Sequence, residues 1–225
     1  MVAPHIDKID QFKLRESVYA ALCDAFTRGA FAPGDTVNLR SLADQLGTSM
    51  TPVREAVRRL VAEGALVDTQ SRTLAVPSFD RTRMLDLKRA RLALEGLIVD
   101  IAFDRMDAAA TDRLEAVLTG PGADVKGPDL QRNYDFHFML YRQSGSEVLL
   151  PMVRALWLQY GAYLNRIIQQ KEAETIPEHV HHEEMVSALR RRDRQGLRAA
   201  LERDIERSFQ LVSRNAEPIE MEVAD

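Results

Sequence analysis

Cysteine is almost absent from this chain: Cys23 stands alone, inside an apolar run. One thiol makes no intramolecular disulfide and no CxxC metal pair, so a disulfide scaffold and a thiolate zinc site are both excluded. The expected thiol is a buried, structural one. Long hydrophobic runs are also missing, and no stretch approaches the ~20 apolar residues that span a bilayer. The first residues carry Asp7, Lys8 and Asp10 in place of an uninterrupted apolar segment, so no signal peptide and no membrane role are expected, and the expected location is cytoplasmic. Nor is there an excess of positive charge. Lys and Arg number 30 against 34 Asp and Glu, a net charge of -4. Attraction to a polyanion, if the chain has any, must come from local clustering of cations.

What is present is an ordinary globular composition, 45% hydrophobic and 28% charged over 225 residues, enough for two modest domains or one large one. Residues 14–29 place Leu14, Val18, Leu22 and Ala25 at helical spacing, with Gly29 as the stop. Pro33-Gly34 signals a turn. Two short helices follow, 39–46 and 50–63, separated by Gly47, Thr48 and Ser49. Ser49 or Thr51 caps the second, and Pro52 sits where its missing N–H does no harm. After Gly64, the apolar segments ALVDTQ and TLAV flank Gln70, Ser71 and Arg72 and predict a two-stranded hairpin. This order of elements is that of a winged helix-turn-helix.

Pro77-Ser78 marks a boundary, giving expected domains at 1–78 and 79–225. Beyond it the pattern is helical throughout: 80–106, 108–119, 129–145, 147–171, 177–192 and 193–214, with a Gly/Pro loop at 120–128. The fold class is therefore mainly α, a winged helix-turn-helix followed by an all-α bundle.

The 50–63 helix is amphipathic, with Val53, Val57, Leu60 and Val61 toward a core and Arg54, Glu55, Arg58 and Arg59 outward. A helix so placed enters the major groove by its N-terminal residues, here Ser49, Met50, Thr51 and Arg54. Arg54 has the bidentate geometry for a guanine edge, and Ser49 and Thr51 suit phosphates. Arg40, at the head of the preceding helix, suits a phosphate or a base, and Arg72 the adjoining minor groove. The plainer alternative, a solvated arginine face, loses ground because the arginines collect on the reading edge of an ordered motif.

The stretch FAPGDTVNLRSLADQLGTSMTPVREAVRRLVAEGAL closely resembles the N-terminal domain of GntR-family regulators. It shares the PG turn, LADQLG, S-x-T-P-V-R-E-A and the E-G-x-L exit. The resemblance implies that Arg40, Thr51 and Arg54 contact operator DNA and that Gln70 and Ser71 lie at the wing tip. Family members usually carry arginine where this chain has Met50, which implies an altered sequence preference. Residues 80–212 resemble, more loosely, the FCD-type C-terminal domain of the FadR branch. The matching segments are RARLALEG, NYDFHFMLYRQSGS and HHEEMVSALRRRD.

Many such domains hold a divalent metal through an Asp-x-x-x-His pair and two further histidines. By alignment the set here is Asn133, His137, His182 and Asp204, two positions departing from that pattern. Residues four apart share a helix face, so Asn133 and His137 point the same way. Imidazole suits zinc or nickel, and a carboxylate replaces an imidazole at zinc. Singly, His137 also fits a hydrogen-bonded core histidine, and Asp204 an ordinary surface carboxylate. Arg91, Tyr163 and Arg166 are candidates for binding a carboxylate-bearing effector, since the branch senses small organic acids and Arg matches a carboxylate bidentately. An Arg91–Glu95 ion pair at i,i+4 is the equal alternative.

The resemblance implies a homodimeric, ligand-responsive regulator on a near-palindromic operator, more often a repressor. The alternatives are a metal-dependent enzyme using the His/Asp cluster, for which no general base is evident, and an architectural DNA-binding dimer without effector.

Overall fold

The computed structural model describes residues 10–69, 73–120, 129–168 and 179–214. Helix α1 (Gln11–Thr27) opens at Asp10, whose carboxylate accepts from the amides of Phe12 (3.0 Å) and Lys13 (3.2 Å). Such a cap contributes about 1 kcal/mol by satisfying amides that have no intrahelical partner. The chain then forms β1 (Thr36–Val37), α2 (Leu39–Gln45), α3 (Met50–Ala62), β2 (Val67–Asp68) and β3 (Leu74–Ala75). Gly47 turns α2 into α3 with φ +60°, a left-handed conformation that glycine adopts without a Cβ clash.

The wing departs from the two-stranded expectation. β3 lies between β1 and β2, antiparallel to both, with Thr36 opposite Ala75 and Val67 also opposite Ala75. The extra strand comes from the segment after Pro33-Gly34. At two residues it is too short for alternation to show in the sequence, and it forms because β3 offers it an edge. The wing-tip candidates Gln70, Ser71 and Arg72 lie outside the described residues.

The second half builds α4 (Arg81–Arg105), α5 (Ala108–Thr119), α6 (Leu130–Arg142), α7 (Leu149–Ile168), α8 (Val180–Arg190) and α9 (Arg194–Arg214). Asp80, Asp107 and Asp129 cap α4, α5 and α6 by accepting from the amides of Arg83 (2.6 Å), Ala110 (2.6 Å) and Arg132 (2.9 Å). Each helix therefore begins where a short carboxylate side chain can fold back onto it. α4 packs against α6, α7 and α9, and α8 lies against α5 and α9.

The described residues form two hydrophobic cores. The smaller joins α1, α2, α3 and the wing around Phe26, Val53, Leu60 and Leu66. The larger fills the helical bundle around Ile98, Phe136, Trp157, Met185 and Leu201. Helix α7 serves both. Val153, Trp157, Tyr160 and Leu164 face the bundle, whereas Leu158 and Ala162, four apart on another face, complete the smaller core. At Gly161 an added Cβ would run into the Phe26 carbonyl oxygen and stand 2.9 Å from its carbon, so glycine here permits backbone contact between α7 and α1. Arg83 donates to the Gly64 carbonyl (2.9 Å) and to Gln159 Oε1 (2.8 Å), while Gln159 donates to the Glu63 carbonyl (2.9 Å).

Two smaller expectations need adjustment. Val61 is half-buried at the rim of the smaller core. Cys23 is half-buried, beside Tyr19 and Tyr134 in a crevice of about 480 Å³ between α1 and the bundle. Burial still pushes its thiol pKa up, away from thiolate reactivity.

Candidate functional site

On the N-terminal domain, α3 buries Pro52, Val53, Ala56, Val57 and Leu60 and leaves Ser49, Thr51, Arg54 and Arg58 exposed. Arg40 is exposed on α2, whose cap is Asn38, accepting from the amides of Arg40 (2.9 Å) and Ser41 (3.1 Å). At α3 the cap residue Ser49 makes no side-chain cap bond. Its hydroxyl and the first amides of α3 are thus free for an anion, which the positive end of the helix dipole also favours. Not every arginine of α3 is available. Arg59 pairs with Glu16 (2.8 Å) and stacks on the Tyr19 ring, 3.5 Å from its centroid. Among the described residues, Arg40, Arg54 and Arg58 make no ion pair, so their charge faces outward. The face is locally cationic in a chain whose net charge is negative.

Inside the bundle, α6, α8 and α9 bring His137, His182 and Asp204 together, all buried, with one donor atom from each lying within 4.8 Å of the others. His137 Nε2 is 3.2 Å from His182 Nε2 and 3.2 Å from Asp204 Oδ2, and His182 Nε2 is 3.8 Å from Asp204 Oδ1. Two donors bound at about 2.1 Å to one tetrahedral ion stand about 3.4 Å apart. The observed spacings bracket that value. Two imidazoles with one carboxylate also match the three-ligand sets that leave a position open at zinc. The residues fit a divalent ion.

Electrostatics supports the same reading. Burial drives the His182 pKa down to about 3, outweighing the pull of Asp204 and reinforced by His137, His179 and Arg207. Its ring is neutral near pH 7, with a lone pair to give. For Asp204, burial acts upward but loses to the His137 hydrogen bond and to the His182, His137 and Arg207 charges, so the carboxyl lies below its ordinary range. Asn133 is half-buried one turn before His137, and among the described residues its side-chain amide makes no hydrogen bond.

Arg91 is buried and pairs with Glu95, Nε to Oε1 2.5 Å and Nη2 to Oε2 3.3 Å, so the i,i+4 pair forms. Its guanidinium also lies 4.5 Å from the Trp157 ring centroid and 4.6 Å from that of Tyr160. Tyr163 is directed elsewhere: its hydroxyl donates to the Ser78 carbonyl (3.2 Å), tying α7 to the interdomain link. Arg166 lies on α7, but its side chain is outside the described residues. Two residues of this region escaped the sequence reading. Tyr141 joins His137 to Glu95, and Trp157 lies 5.1 Å from the His137 ring. Of the His179, His181 and His182 cluster, His182 is the buried one, and His179 Nδ1 is 3.2 Å from its Nδ1. Spacing offered one signal, since Tyr141 is four residues after His137.

A winged helix-turn-helix with a cationic reading edge, joined to a helical bundle enclosing a His/His/Asp cluster, defines a two-domain DNA-binding regulator. Residues 14–76 match the family model "Bacterial regulatory proteins, gntR family", and residues 86–207 match that of the FCD domain. The chain belongs to the GntR family of regulators, in the group carrying an FCD domain. It is 27% identical to the HTH-type transcriptional regulator McbR of Escherichia coli K12, over 88% of this chain and 92% of that one. It is 35% identical to the Nta operon transcriptional regulator of Aminobacter aminovorans, over 56% and 61%. The solved structure of E. coli McbR/YncC superposes with a TM-score of 0.79 at 25% identity, covering 91% of this chain and 99% of that one. The family is one of regulators, and the reading as a metal-dependent enzyme falls with it. Among the described residues no helix is long and apolar enough to cross a membrane.

Proposed function

We propose that this regulator responds to a small organic acid bound beside a divalent ion held by His137, His182 and Asp204, with Asn133 available as a further neutral oxygen ligand. The observation that carries the reading is the convergence of three buried metal-type donors from three helices. Such a set leaves a coordination position for an exchangeable ligand, and a carboxylate is a hard oxygen donor suited to it. Nearby, Arg91 Nη1 and Trp157 Nε1 are buried donors without an acceptor among the described residues. An unpaired buried donor costs about 1–3 kcal/mol, which a carboxylate ligand would recover.

The regulator acts as a homodimer on a near-palindromic operator, with Ser49, Thr51, Arg54 and Arg40 at each half-site and Gln70, Ser71 and Arg72 as further DNA contacts. Repression is the expected sense, as in the HTH-type transcriptional repressor GlaR of E. coli K12, 25% identical over 78% of this chain and 84% of that one. The effector must bind one arrangement of the two reading heads better than the other, or it shifts nothing.

The test is metal content by mass spectrometry after loading with zinc or nickel, followed by calorimetric titration with a panel of mono-, di- and hydroxycarboxylic acids. Near one ion per chain, acid binding that needs the ion, and loss of both in His137→Ala would support the reading. Stoichiometric uptake that survives in both His137→Ala and His182→Ala, or no uptake by the wild type, would overturn it.

A further inference from the structure

The reading helix α3 is gripped at its far end by the helical bundle. The last carbonyls of a helix have no partner within it. Here the Glu63 carbonyl accepts from Gln159 Nε2 of α7 (2.9 Å), and the Gly64 carbonyl accepts from Arg83 Nη2 of α4 (2.9 Å). Arg83 Nη2 also donates to Gln159 Oε1 (2.8 Å), which closes the three elements into a triangle. A guanidinium only donates and a carbonyl only accepts, so one orientation of the Gln159 amide satisfies both neighbours. Gly64 stands at φ +76°, and an added Cβ there would lie 3.0 Å from Gln159 Cδ, so glycine lets the amide close on the helix end. The Glu63 carboxylate is held from the other side, accepting from the Tyr19 hydroxyl of α1 (2.6 Å).

This triangle is a second attachment between the domains. The first is a line of close contact along α7, where Leu158 and Ala162 enter the smaller core and Gly161 lies against the Phe26 carbonyl of α1. A line of contact alone leaves the N-terminal domain free to rock about α7, and a second point off that line fixes the angle. The lever is long. α3 has 13 residues, about 20 Å at 1.5 Å each, and its clamped end is opposite the one that carries Ser49, Thr51 and Arg54. A tilt of about 10° at the clamp moves those residues about 3.5 Å, close to the rise of one base pair. We infer that Gln159 and Arg83 are positioning residues for operator recognition, setting the angle of the reading helix to the bundle and with it the half-site spacing the regulator accepts. They act through α3 and stand away from its reading edge.

The consequence for spacing rests on the proposed two-fold operator, but the angle does not. The test therefore has two readouts, made on the full chain in wild type, Gln159→Glu and Arg83→Met. Gln159→Glu keeps the acceptor for Arg83 and loses the donor to the Glu63 carbonyl, and Arg83→Met removes the contribution of α4. Residual dipolar couplings of the free protein should fit one alignment tensor for both domains in wild type. In each variant the N-terminal domain should show a smaller tensor than the bundle, while the couplings within each domain still fit its fold. On duplexes whose half-site spacing is lengthened or shortened by one base pair, wild type should prefer one spacing. In the variants that preference should shrink about 2–10-fold, the worth of one such hydrogen bond, with base preference inside a half-site unchanged. Equal tensors for the two domains in both variants would overturn the inference outright. A reduced tensor with unchanged spacing preference would overturn its link to the operator. A wild type that selects a single unpaired half-site would defeat the two-fold reading, and the couplings alone would then decide the clamp.

Discussion

Thr51 and Arg54 stand on the exposed edge of α3, where one-residue changes separate recognition from folding. Neither side chain joins the smaller core, so Arg54→Ala should leave thermal stability within about 0.5 kcal/mol of wild type. If Arg54 reads a guanine edge, operator affinity should fall about 5–150-fold, equivalent to about 1–3 kcal/mol, and discrimination at that base should relax. Fluorescence anisotropy on operator variants measures both. In the bundle, Trp157→Phe removes the Nε1 donor while keeping an aromatic against Arg91. Acid binding should weaken in calorimetry while metal content stays at the wild-type level.

His182 gives a pH dependence with a definite sign. Its folded pKa of about 3 lies below the ordinary histidine value of 6.5, so between those limits the unfolded chain binds more protons than the folded one. Stability therefore rises with pH across that window and is lost as pH falls from 6.5 toward 3. The depressed Asp204 carboxyl acts with the same sign at the acid end, below its unfolded value of 3.8. Urea unfolding of chelator-treated protein at pH 7 and pH 4.5 should show the loss. His182→Asn, which keeps a polar group of similar size, should flatten it.

At the scale of elements, α7 is the connection between the two domains. One face carries Trp157 and Tyr160 against Arg91, and another carries Leu158 and Ala162 into the smaller core. The close approach at Gly161 offers a way to disturb this connection alone. Gly161→Ala forces the Phe26–Thr27 backbone away from α7, and overpacking of this kind costs about 1–3 kcal/mol. A lower melting temperature and weaker operator binding are expected, with metal uptake retained.

The longer helices were legible in the sequence because each repeats an apolar face over ten or more residues, and the seven-residue α2 because the Pro33-Gly34 turn and Gly47 bracket it. β1 was not: it is as short as β2 and β3 but lacks the paired apolar segments around a polar turn that mark their hairpin, and its strand character comes from the edge of β3. The same distinction runs through the candidate site. His137 and His182 stood out through their segments and Arg91–Glu95 through i,i+4 spacing. Tyr141 to Glu95 joins residues 46 positions apart, a contact that only the packing of α4 against α6 creates. The use of Tyr163 as a strut to Ser78 was equally hidden, because its spacing on α7 suits the bundle face as well as the domain link.

At the scale of the whole molecule, a net charge of -4 and a cationic reading edge coexist because Glu and Asp dominate elsewhere. Binding to DNA should then come from a few phosphate contacts and weaken steeply with salt, the slope of log K against log salt giving about 0.9 per phosphate neutralised. A homodimer should protect two half-sites about 10 base pairs apart, one helical turn, as two-fold related reading helices require. The most direct measurement selects operators from a random duplex library with the wild-type protein and compares wild type with the Thr51→Ala/Arg54→Ala double variant on the selected sequence. The expected result is a two-fold symmetric site whose affinity drops at least about tenfold in the double variant while the fold is intact. Equal affinity of wild type and double variant for that site would contradict α3 as the reading element.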